Sequence, residues 1–418
     1  MADIKKKKVL IVGNSAKEHA LCLKFKQCPN IGEIYVTPAN DAIKEIVNTA
    51  DIREDNIEEL LKFAIDNEID LTVASSEIAV KNDIAGIFQA NGKLIFAPQA
   101  VSAKFATNKG VCKKLLNKLH IPTPRFGIFE KQQQAAEYLK TANLPVIIST
   151  QETFNGNCQQ LCSTFRIAKT YIEDLFAIDE KKVVAEEYLY GHTFTLYVIT
   201  DGYHALPLNT VASSKFTEEG EGGLLTDGTG AFAPDYKISF NMISHIMRNV
   251  VYKLLKTQEK QGIPYMGILG VDCVLKDYDK YSVQNIIPFL RDHDCACVLK
   301  LLDENLYMLF EACAVGSFAD DYEYINVSDN AAVSIVLSAQ KSGQIIQNLN
   351  KVEDLEINHI NTHKNSYLEY ETKKGRILTV TSCAQTLTRA KQKLCENIEL
   401  ITYEGKKYRK DICPLMFV

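Results

Sequence analysis

The first residues able to do chemistry follow an apolar segment near the start of the chain. Residues 9–12 predict a strand, which runs into a tight turn and then a helix. In open α/β sheets, loop amides and helix N-termini converge beyond the carboxyl ends of the strands, and small molecules bind there. The pattern predicts a nucleotide or sugar-phosphate domain. The alternative is plain scaffold, because a full Gly-x-Gly-x-x-Gly is absent. The candidate ligand contacts in this segment are Gly13, Asn14, Lys17, Glu18 and His19.

Other polar residues lie at comparable places along the chain. Glu77 comes just after a predicted strand at residues 71–74, where a carboxylate can serve the helix dipole or contact a ligand. A glycine-rich segment, residues 218–231, is too irregular for a strand and too long for a simple turn, so we expect a functional or disordered loop. The His-Asp-Cys-Ala-Cys run at 293–297 lacks a second Cys/His pair, so we do not expect a zinc site there.

Composition narrows the class of protein. Hydrophobic residues make up 46% and charged residues 24%, with 47 basic and 52 acidic side chains, which is typical of a soluble globular protein. The one basic run, residues 5–8, flanks the first strand, so we expect no nucleic-acid partner. No segment predicts a membrane span or a signal peptide, and the twelve cysteines are irregularly spaced, so we expect a cytoplasmic protein with reduced thiols and no membrane partner.

The order of predicted elements indicates several domains. Strands and helices alternate through residues 1–100, which predicts an α/β domain built on a doubly wound parallel sheet. Pro98 and the prolines at 122 and 124 bound a predicted helix at 108–119 and suggest a boundary near 100. Further predictions are a hairpin at 196–208, a helix at 238–256, paired strands at 265–275 and 280–287, and a polar loop at 350–365.

Five segments keep an order and spacing typical of one family. They are the strand, turn and helix at 8–20, Lys-Leu-Ile-Phe-Ala-Pro at 93–98, Val-Val-Ala-Glu-Glu-Tyr-Leu at 183–189, Asp-Gly-Thr-Gly-Ala-Phe at 227–232 and Tyr-Arg-Lys-Asp-Ile at 408–412. Over nearly its full length the chain resembles the phosphoribosylamine-glycine ligase family, also called glycinamide ribonucleotide synthetases. The resemblance implies an N-terminal α/β domain at 1–100, a central ATP-grasp unit of two α+β subdomains at 101–325 with a lid at about 122–192, and a small C-terminal α/β domain at 326–418.

The resemblance also implies an activity. Members of this family use ATP and Mg²⁺, with Mn²⁺ as an alternative metal, to activate glycine as an acyl phosphate, which the amine of 5-phosphoribosylamine then attacks. Phosphoryl transfer of this kind needs cations and oriented donors around the polyphosphate. By residue-for-residue match, the resemblance implies these roles: nucleotide contacts by Lys109, Glu186, Glu187, Tyr188 and Leu189; substrate contacts by Gly13, Asn14, Lys17, Glu18, His19, Glu77, Asp227 and Gly228; metal ligation by Asp272 and Asn285; catalysis by Arg291 and Asp292.

Several positions depart from the family pattern. Ser149 stands where members place a second phosphate-binding lysine, and Gly156 is what remains of the glycine-rich phosphate loop. Val283-Gln284-Asn285 stands where members have Glu-x-Asn for the metal, so Asn285 remains and the carboxylate is absent. Mg²⁺, which prefers charged oxygen ligands, would rely on Asn285 unless Asp272 compensates. Arg291 is suited to bind a sugar phosphate through two hydrogen bonds.

Three hypotheses follow. The first is a working ligase in which Asp272 and Asn285 share the metal and another lysine, such as Lys215, replaces the absent one. The second is a catalytically silent relative that binds a nucleotide or a partner protein. The third is an ATP-grasp ligase with a different acceptor, because the turn at 13–19 and the loop at 38–41 differ from the family pattern. The first hypothesis predicts ADP release that depends on glycine, whereas the second predicts binding without turnover.

Overall fold

The N-terminal part of the chain forms a parallel sheet. A computed structural model describes residues 6–152, 159–178, 180, 182–277 and 280–414; Gly156 lies outside them. The first elements are β1 (Lys7–Val12), α1 (Ala16–Phe25), β2 (Ile31–Thr37), α2 (Asp41–Lys44), β3 (Asn48–Thr49), α3 (Ile57–Asp66), β4 (Leu71–Ala74), α4 (Glu77–Lys81), α5 (Ile84–Ala90) and β5 (Ile95–Phe96). The five strands pair in parallel in the order β3-β2-β1-β4-β5, which confirms the doubly wound sheet.

The four residues 9–12 of β1 are all apolar because side chains on both faces of this strand are buried. Val9 and Ile11 belong to one buried apolar cluster, whereas Leu10 and Val12 belong to another. A parallel sheet covered on both faces buries both sets of side chains. The sheet edge formed by the carboxyl ends of its strands therefore carries the polar residues.

The next part of the chain forms a smaller sheet with a core of its own. Its elements are α6 (Ala100–Thr107), α7 (Lys109–Lys118), β6 (Phe126–Phe129), α8 (Gln132–Leu139), β7 (Val146–Thr150), β8 (Gln159–Cys162), α9 (Phe165–Ala177) and β9 (Val183–Glu187). The strands pair antiparallel in the order β6-β9-β7-β8, and α8 and α9 cover one face. Its buried cluster includes Ala135, Ile148 and Ile172. We call residues 126–187 the small sheet; they fall within the segment expected to be a lid.

Most of the remaining strands build one large sheet, and two short ones form a separate two-stranded sheet. The elements are β10 (His192–Thr200), β11 (Ala205–Glu218), β12 (Gly222–Ala233), α10 (Phe240–Ile246), a π-helical turn (Met247–Val251), α11 (Tyr252–Lys260), β13 (Gly267–Asp277), β14 (Lys280–Ile287), α12 (Asp292–Leu301), α13 (Leu306–Val315), α14 (Phe318–Asp321), β15 (Ala331–Ala339), β16 (Glu356–His359), β17 (Thr362–Lys364), β18 (Tyr370–Thr372), β19 (Gly375–Ala384), α15 (Leu387–Ile398) and β20 (Lys406–Lys407). The order is β14-β13-β10-β11-β12-β15-β19-β16, and β20 pairs with β15.

This sheet corrects two expectations. The glycine-rich segment is not an irregular loop, because β12 pairs with β11 and β15 through bulged, glycine-tolerant registers. The polar stretch at 350–365 contains β16, which pairs with β19 and buries Asn358 and His359, and β17, which pairs with β18. The sheet also continues across residue 325, where the sequence places a boundary. No helix among the described residues is long and apolar enough to cross a membrane.

Phe310 of α13 joins the large-sheet part to the N-terminal sheet. Its ring stacks on Phe96 of β5, with centroids 4.0 Å apart, and both side chains are buried. We predict that Phe310→Ala lowers the free energy of unfolding by about 3–5 kcal/mol, because it leaves a cavity at this junction. Denaturant unfolding followed by tyrosine fluorescence measures the change, since the chain has no Trp. Met308→Ala, at a half-exposed position on the same helix, is the control; an equal loss in both variants would contradict this packing role.

Candidate active site

Two adjoining clefts lie where the three sheets meet. The large cleft has a volume of about 310 Å³ and the small cleft about 150 Å³. The large cleft is lined by residues that include Lys17, Glu77, Ser149, Thr150, Asp292 and Arg376, and the small cleft by residues that include Ile147, Glu186, Tyr188, Lys215 and Arg409. Both clefts share Lys109, Gln159, Asp227, Asn285 and Arg291, so they adjoin each other along a common wall.

A buried group of three charges connects the small sheet to α7. Lys109 and Lys113 lie one turn apart on α7, and both form ion pairs with Glu186 of β9, the second at 2.7 Å. All three side chains are less than 5% exposed. Burial favours the neutral acid, but the two ammonium groups hold the pKa of Glu186 below its ordinary value. The carboxylate is therefore ionised and fixes both lysines.

A second charged group lies beside the small cleft and centres on Asp272 of β13. Its Oδ2 atom accepts from Lys215 Nζ at 2.6 Å and from Arg291 Nη2 at 3.1 Å. Its Oδ1 atom accepts from Thr195 Oγ1 at 3.2 Å. Burial opposes ionisation, yet Lys215 and Arg291 hold the pKa of Asp272 far below its ordinary value. Asp294, wholly buried, lies 3.9 Å from Arg291 Nη1.

Asp292 contacts two basic residues that line the large cleft. Its Oδ1 accepts from the Lys17 backbone N–H at 3.2 Å, and its Oδ2 lies 3.6 Å from Arg376 Nη2. Arg376 also contacts Asp227 at 3.4 Å. Burial raises the pKa of the Asp292 carboxyl, but Lys17 and Arg376 outweigh burial and lower it. For Lys17, burial opposes the charge, whereas Glu18 and Asp292 raise its pKa overall.

Glu77 behaves differently from the other acids in this cleft. Burial raises its pKa to about 8, although Lys17 acts in the opposite direction. At neutral pH its carboxyl is therefore mostly protonated. A protonated carboxyl can donate a hydrogen bond to an anionic ligand, which a carboxylate cannot do.

Four residues of the first turn and helix do not line the two clefts as the described residues outline them. Glu18 accepts from the Ser15 N–H and hydroxyl and from the Ser75 hydroxyl, and so completes a capping box for α1. Gly13 has φ +136°, and an added Cβ would lie 2.5 Å from Glu18 Oε1. This geometry favours the scaffold interpretation for both residues. The substrate roles of Gly13, Asn14, Glu18 and His19 remain predictions.

His19 faces the C-terminal part of the chain. Its Nδ1 accepts from the His359 N–H at 3.2 Å, and burial lowers the pKa of His19 to about 4. The exposed Asn14 uses its carbonyl to accept from the Asn40 side chain. His19 is thus a neutral contact between α1 and β16.

The residues at and just after β9 that were expected to contact the nucleotide also divide into those that line a cleft and those that do not. Tyr188 lines the small cleft, while Glu187 accepts from Asn143 Nδ2 at 2.6 Å. Leu189 does not contribute to either cleft wall among the described residues. Asp227 lines both clefts, whereas Gly228, at φ +150°, packs so closely on His293 that an added Cβ would clash.

The sequence did not reveal two residues that complete the site. Lys113 lies four residues after Lys109, so the two lysines share one helix face, and that spacing could have suggested the pair. Arg376 gave no such signal, because β19 reaches the cleft only through the pairing of the large sheet. Lys215, expected as a replacement lysine, does line the small cleft.

Comparison with known proteins identifies the family. Models of phosphoribosylglycinamide synthetase match three segments: the N domain at residues 7–105, the ATP-grasp (A) domain at 107–295 and the C domain at 338–414. The chain belongs to the phosphoribosylglycinamide synthetase family. The resemblance seen in the sequence is therefore confirmed.

Relatives of this synthetase family match along nearly the whole chain. A phosphoribosylamine--glycine ligase of Caldanaerobacter subterraneus subsp. tengcongensis is 27% identical, and the match covers 97% of this chain and 99% of the relative. The trifunctional purine biosynthetic protein adenosine-3 of Gallus gallus is 30% identical over 99% of this chain and 42% of its own length.

Solved structures of the same architecture confirm the fold. Phosphoribosylamine--glycine ligase from Thermotoga maritima gives a TM-score of 0.81 at 23% identity and covers 97% of this chain and 100% of its own. The biotin carboxylase domain of Hydrogenobacter thermophilus 2-oxoglutarate carboxylase, solved with MgADP, gives 0.72 at 12% identity and covers 96% and 91%. The α/β multidomain fold with a central ATP-grasp unit is thus confirmed.

The residues expected to hold Mg²⁺ do not offer a suitable donor set in this synthetase-family chain. Asp272 and Asn285 face each other across β13 and β14, but the Asp272 carboxylate is already bound by Lys215 and Arg291. The described residues contain no group of three or more His, Cys, Asp or Glu side chains that could hold a metal ion. One neutral amide is a weak ligand for Mg²⁺. Metal ligation by Asp272 therefore stays a prediction that requires displacement of two cations.

We predict that Glu186→Gln lowers the free energy of unfolding by about 3–5 kcal/mol, because it leaves two lysines buried without their counter-ion. Thermal and denaturant unfolding measure the loss. The neighbouring Glu187→Gln is the matched control, since that side chain is half-buried and, among the residues that the structure describes, accepts a hydrogen bond from Asn143 alone. Equal destabilisation by the two variants would contradict the importance of the buried lysine pair.

Glu77 provides a test of the pH dependence of stability. Above pH 4.5 the unfolded state releases a proton that the folded state keeps until about pH 8. Wild-type stability therefore falls between these values. We predict that Glu77→Gln gains stability relative to the wild type from pH 5 to 8, by on the order of a few kcal/mol at ~1.4 kcal/mol per pKa unit. Glu58→Gln, at an exposed position in the same part, is the control. A pH-independent difference for Glu77→Gln would contradict the raised pKa.

Proposed function

We propose that this chain is an ATP-dependent ligase that joins glycine to 5-phosphoribosylamine and yields glycinamide ribonucleotide, ADP and phosphate, a step of purine biosynthesis. The family membership supports this proposal. The observation that carries it is the pair of adjoining clefts, whose common wall holds Lys109, Asn285 and Arg291. A ligase of this kind must bring a nucleotide and a carboxylate substrate together at one point.

The small cleft is the proposed nucleotide side. Tyr188 and Ile147 offer aromatic and apolar surface for the base, and Glu186, on the inner strand β9 of the small sheet, lines the same cleft. Lys109, Lys215 and Arg291 line the other walls and can neutralise phosphate charge. The nucleotide in this proposal is ATP; a neighbour of the same fold was solved with MgADP.

The large cleft is the proposed substrate side. Lys17 and Arg376 provide positive charge for the glycine carboxylate and the sugar phosphate, and Asp292 holds both in place. The protonated Glu77 can donate a hydrogen bond to one of these anionic groups. Asp227 lies on both sides and is suited to contact the glycine ammonium group.

The chemistry divides into two steps. A carboxylate oxygen of glycine attacks the γ-phosphorus of ATP, the bond to the β-phosphate oxygen breaks, and glycyl phosphate and ADP form. The amine of phosphoribosylamine then attacks the acyl carbon, phosphate leaves, and the amine loses a proton as the amide forms. The residues of the common wall bind and orient the reacting groups, and fixed cations stabilise the charge that develops in transfer.

We predict that ADP release requires both glycine and freshly prepared phosphoribosylamine, and that Lys109→Met reduces kcat/KM by about a hundredfold or more, because it removes a fixed donor at the common wall. A coupled ADP assay measures both. Lys104→Met, at an exposed position on α6, is the control.

The result that would overturn the ligase proposal is ATP binding without ADP release in the presence of both substrates. That outcome corresponds to a silent relative. ADP release with glycine and a different amine, but not with phosphoribosylamine, would instead identify a changed acceptor.

A further inference from the structure

We infer that Lys215 and Arg291 provide the positive charge that a chain-held divalent cation would supply, so that this protein binds the phosphates of ATP without ligating a metal ion. The inference rests on the proposed nucleotide site and concerns how that site neutralises the triphosphate. It follows from the contacts of Asp272, the position of the two cations on the cleft wall, and the donors that remain free to bind phosphate.

The carboxylate that would ligate a metal is already bound by other side chains. Asp272 is 1% exposed, and its two oxygens accept from Thr195, Lys215 and Arg291 at 2.6–3.2 Å. A divalent ion entering here would meet two positive charges at hydrogen-bond distance from its intended ligand. Close like charges in a buried site repel strongly, because little water screens them. The arrangement therefore disfavours Mg²⁺ at Asp272.

The second carboxylate of this region is also engaged. Asp294 is wholly buried and accepts from the Tyr197 hydroxyl at 2.7 Å and the Ser213 hydroxyl at 2.8 Å. Neither Asp272 nor Asp294 lines the clefts. Asp272 and Asp294 are thus buried behind the cleft wall, whereas Lys215 and Arg291 line it.

The cations face the space in which phosphates are expected. Arg291 lines both clefts and Lys215 lines the small one, with side chains 17% and 14% exposed. A guanidinium has five N–H donors and an ammonium three. The hydrogen bonds to Thr195 and Asp272 use two donors of Arg291 and one of Lys215 among the described residues. The others can bind phosphate oxygens, and a guanidinium does so with two parallel hydrogen bonds.

Asp272 is then a positioning residue rather than a metal ligand. It fixes two long side chains that would otherwise lose conformational freedom on binding, so the cations are already in place before the nucleotide arrives. Lys109, fixed in the same way by Glu186, completes the positive wall.

The test measures binding of labelled ATP to the full chain by equilibrium dialysis, once with excess EDTA and once with Mg²⁺. For the wild type we expect the two dissociation constants to agree within about threefold. We also expect that Mn²⁺ alone, without nucleotide, keeps its full free-ion electron paramagnetic resonance signal in the presence of the protein.

Arg291→Gln provides the sharper test. This variant should bind ATP about tenfold or more weakly in EDTA, since it loses a charged bidentate donor. Mg²⁺ should restore part of the binding, because a metal ion carried by the phosphates replaces the lost positive charge. Lys215→Gln should shift in the same direction, and it also tests the inference if Arg291→Gln does not fold. Arg389→Gln, at an exposed position on α15, should behave as the wild type in both conditions.

The possible failures are distinguishable. Wild-type binding that is lost in EDTA and regained with Mg²⁺ would overturn this inference and leave the ligase proposal standing. Absence of ATP binding in both conditions would overturn the proposed nucleotide site and this inference with it. An Arg291→Gln protein that folds and tolerates EDTA as well as the wild type would overturn the role of the arginine.

Discussion

Charge compensation inside the protein organises the whole centre of this molecule. Glu186 lies between two lysines, and Asp272 lies between Lys215 and Arg291, in surroundings from which water is largely excluded. An isolated ion cannot remain charged there, so each carboxylate and its cations must come together as the chain folds. Glu186 links β9 of the small sheet to α7, and Asp272 links β13 to β11 and to the residue that precedes α12, so these contacts fix the walls of the clefts. The candidate site is the surface of this buried ionic arrangement.

The fold could be inferred from the sequence where periodicity and apolar runs were strong. Alternating strands and helices predicted the N-terminal sheet, and the resemblance supplied the ATP-grasp unit. The errors occurred where the large sheet imposes a conformation that local residues do not favour. Residues 222–233 are rich in glycine, which locally indicates a loop, yet pairing with neighbours on both sides makes them a strand. Residues 356–359 are polar, which locally indicates a loop, yet pairing with β19 makes them the edge strand of that sheet.

The site was accessible from sequence only in part, for a different physical reason. Matching motifs could place Lys109, Asp227 and Arg291 near one another, because the family resemblance carries their order along the chain. The sequence could not show which of these groups bind each other. Asp272 was expected to be a ligand, and its engagement by Lys215 and Arg291 depends on β11, β13 and the start of α12 meeting in space. Such pairing over long sequence distances leaves no local pattern.

The large sheet has a consequence for how the chain can be divided. Because β12 pairs with β15, a cut between them would leave each fragment with a long unprotected strand whose amides and carbonyls seek another partner. Fragments of this kind tend to associate with copies of themselves. Residues 326–418 are therefore better regarded as an integral part of the catalytic body than as an appended module, and recombinant work should express the polypeptide whole.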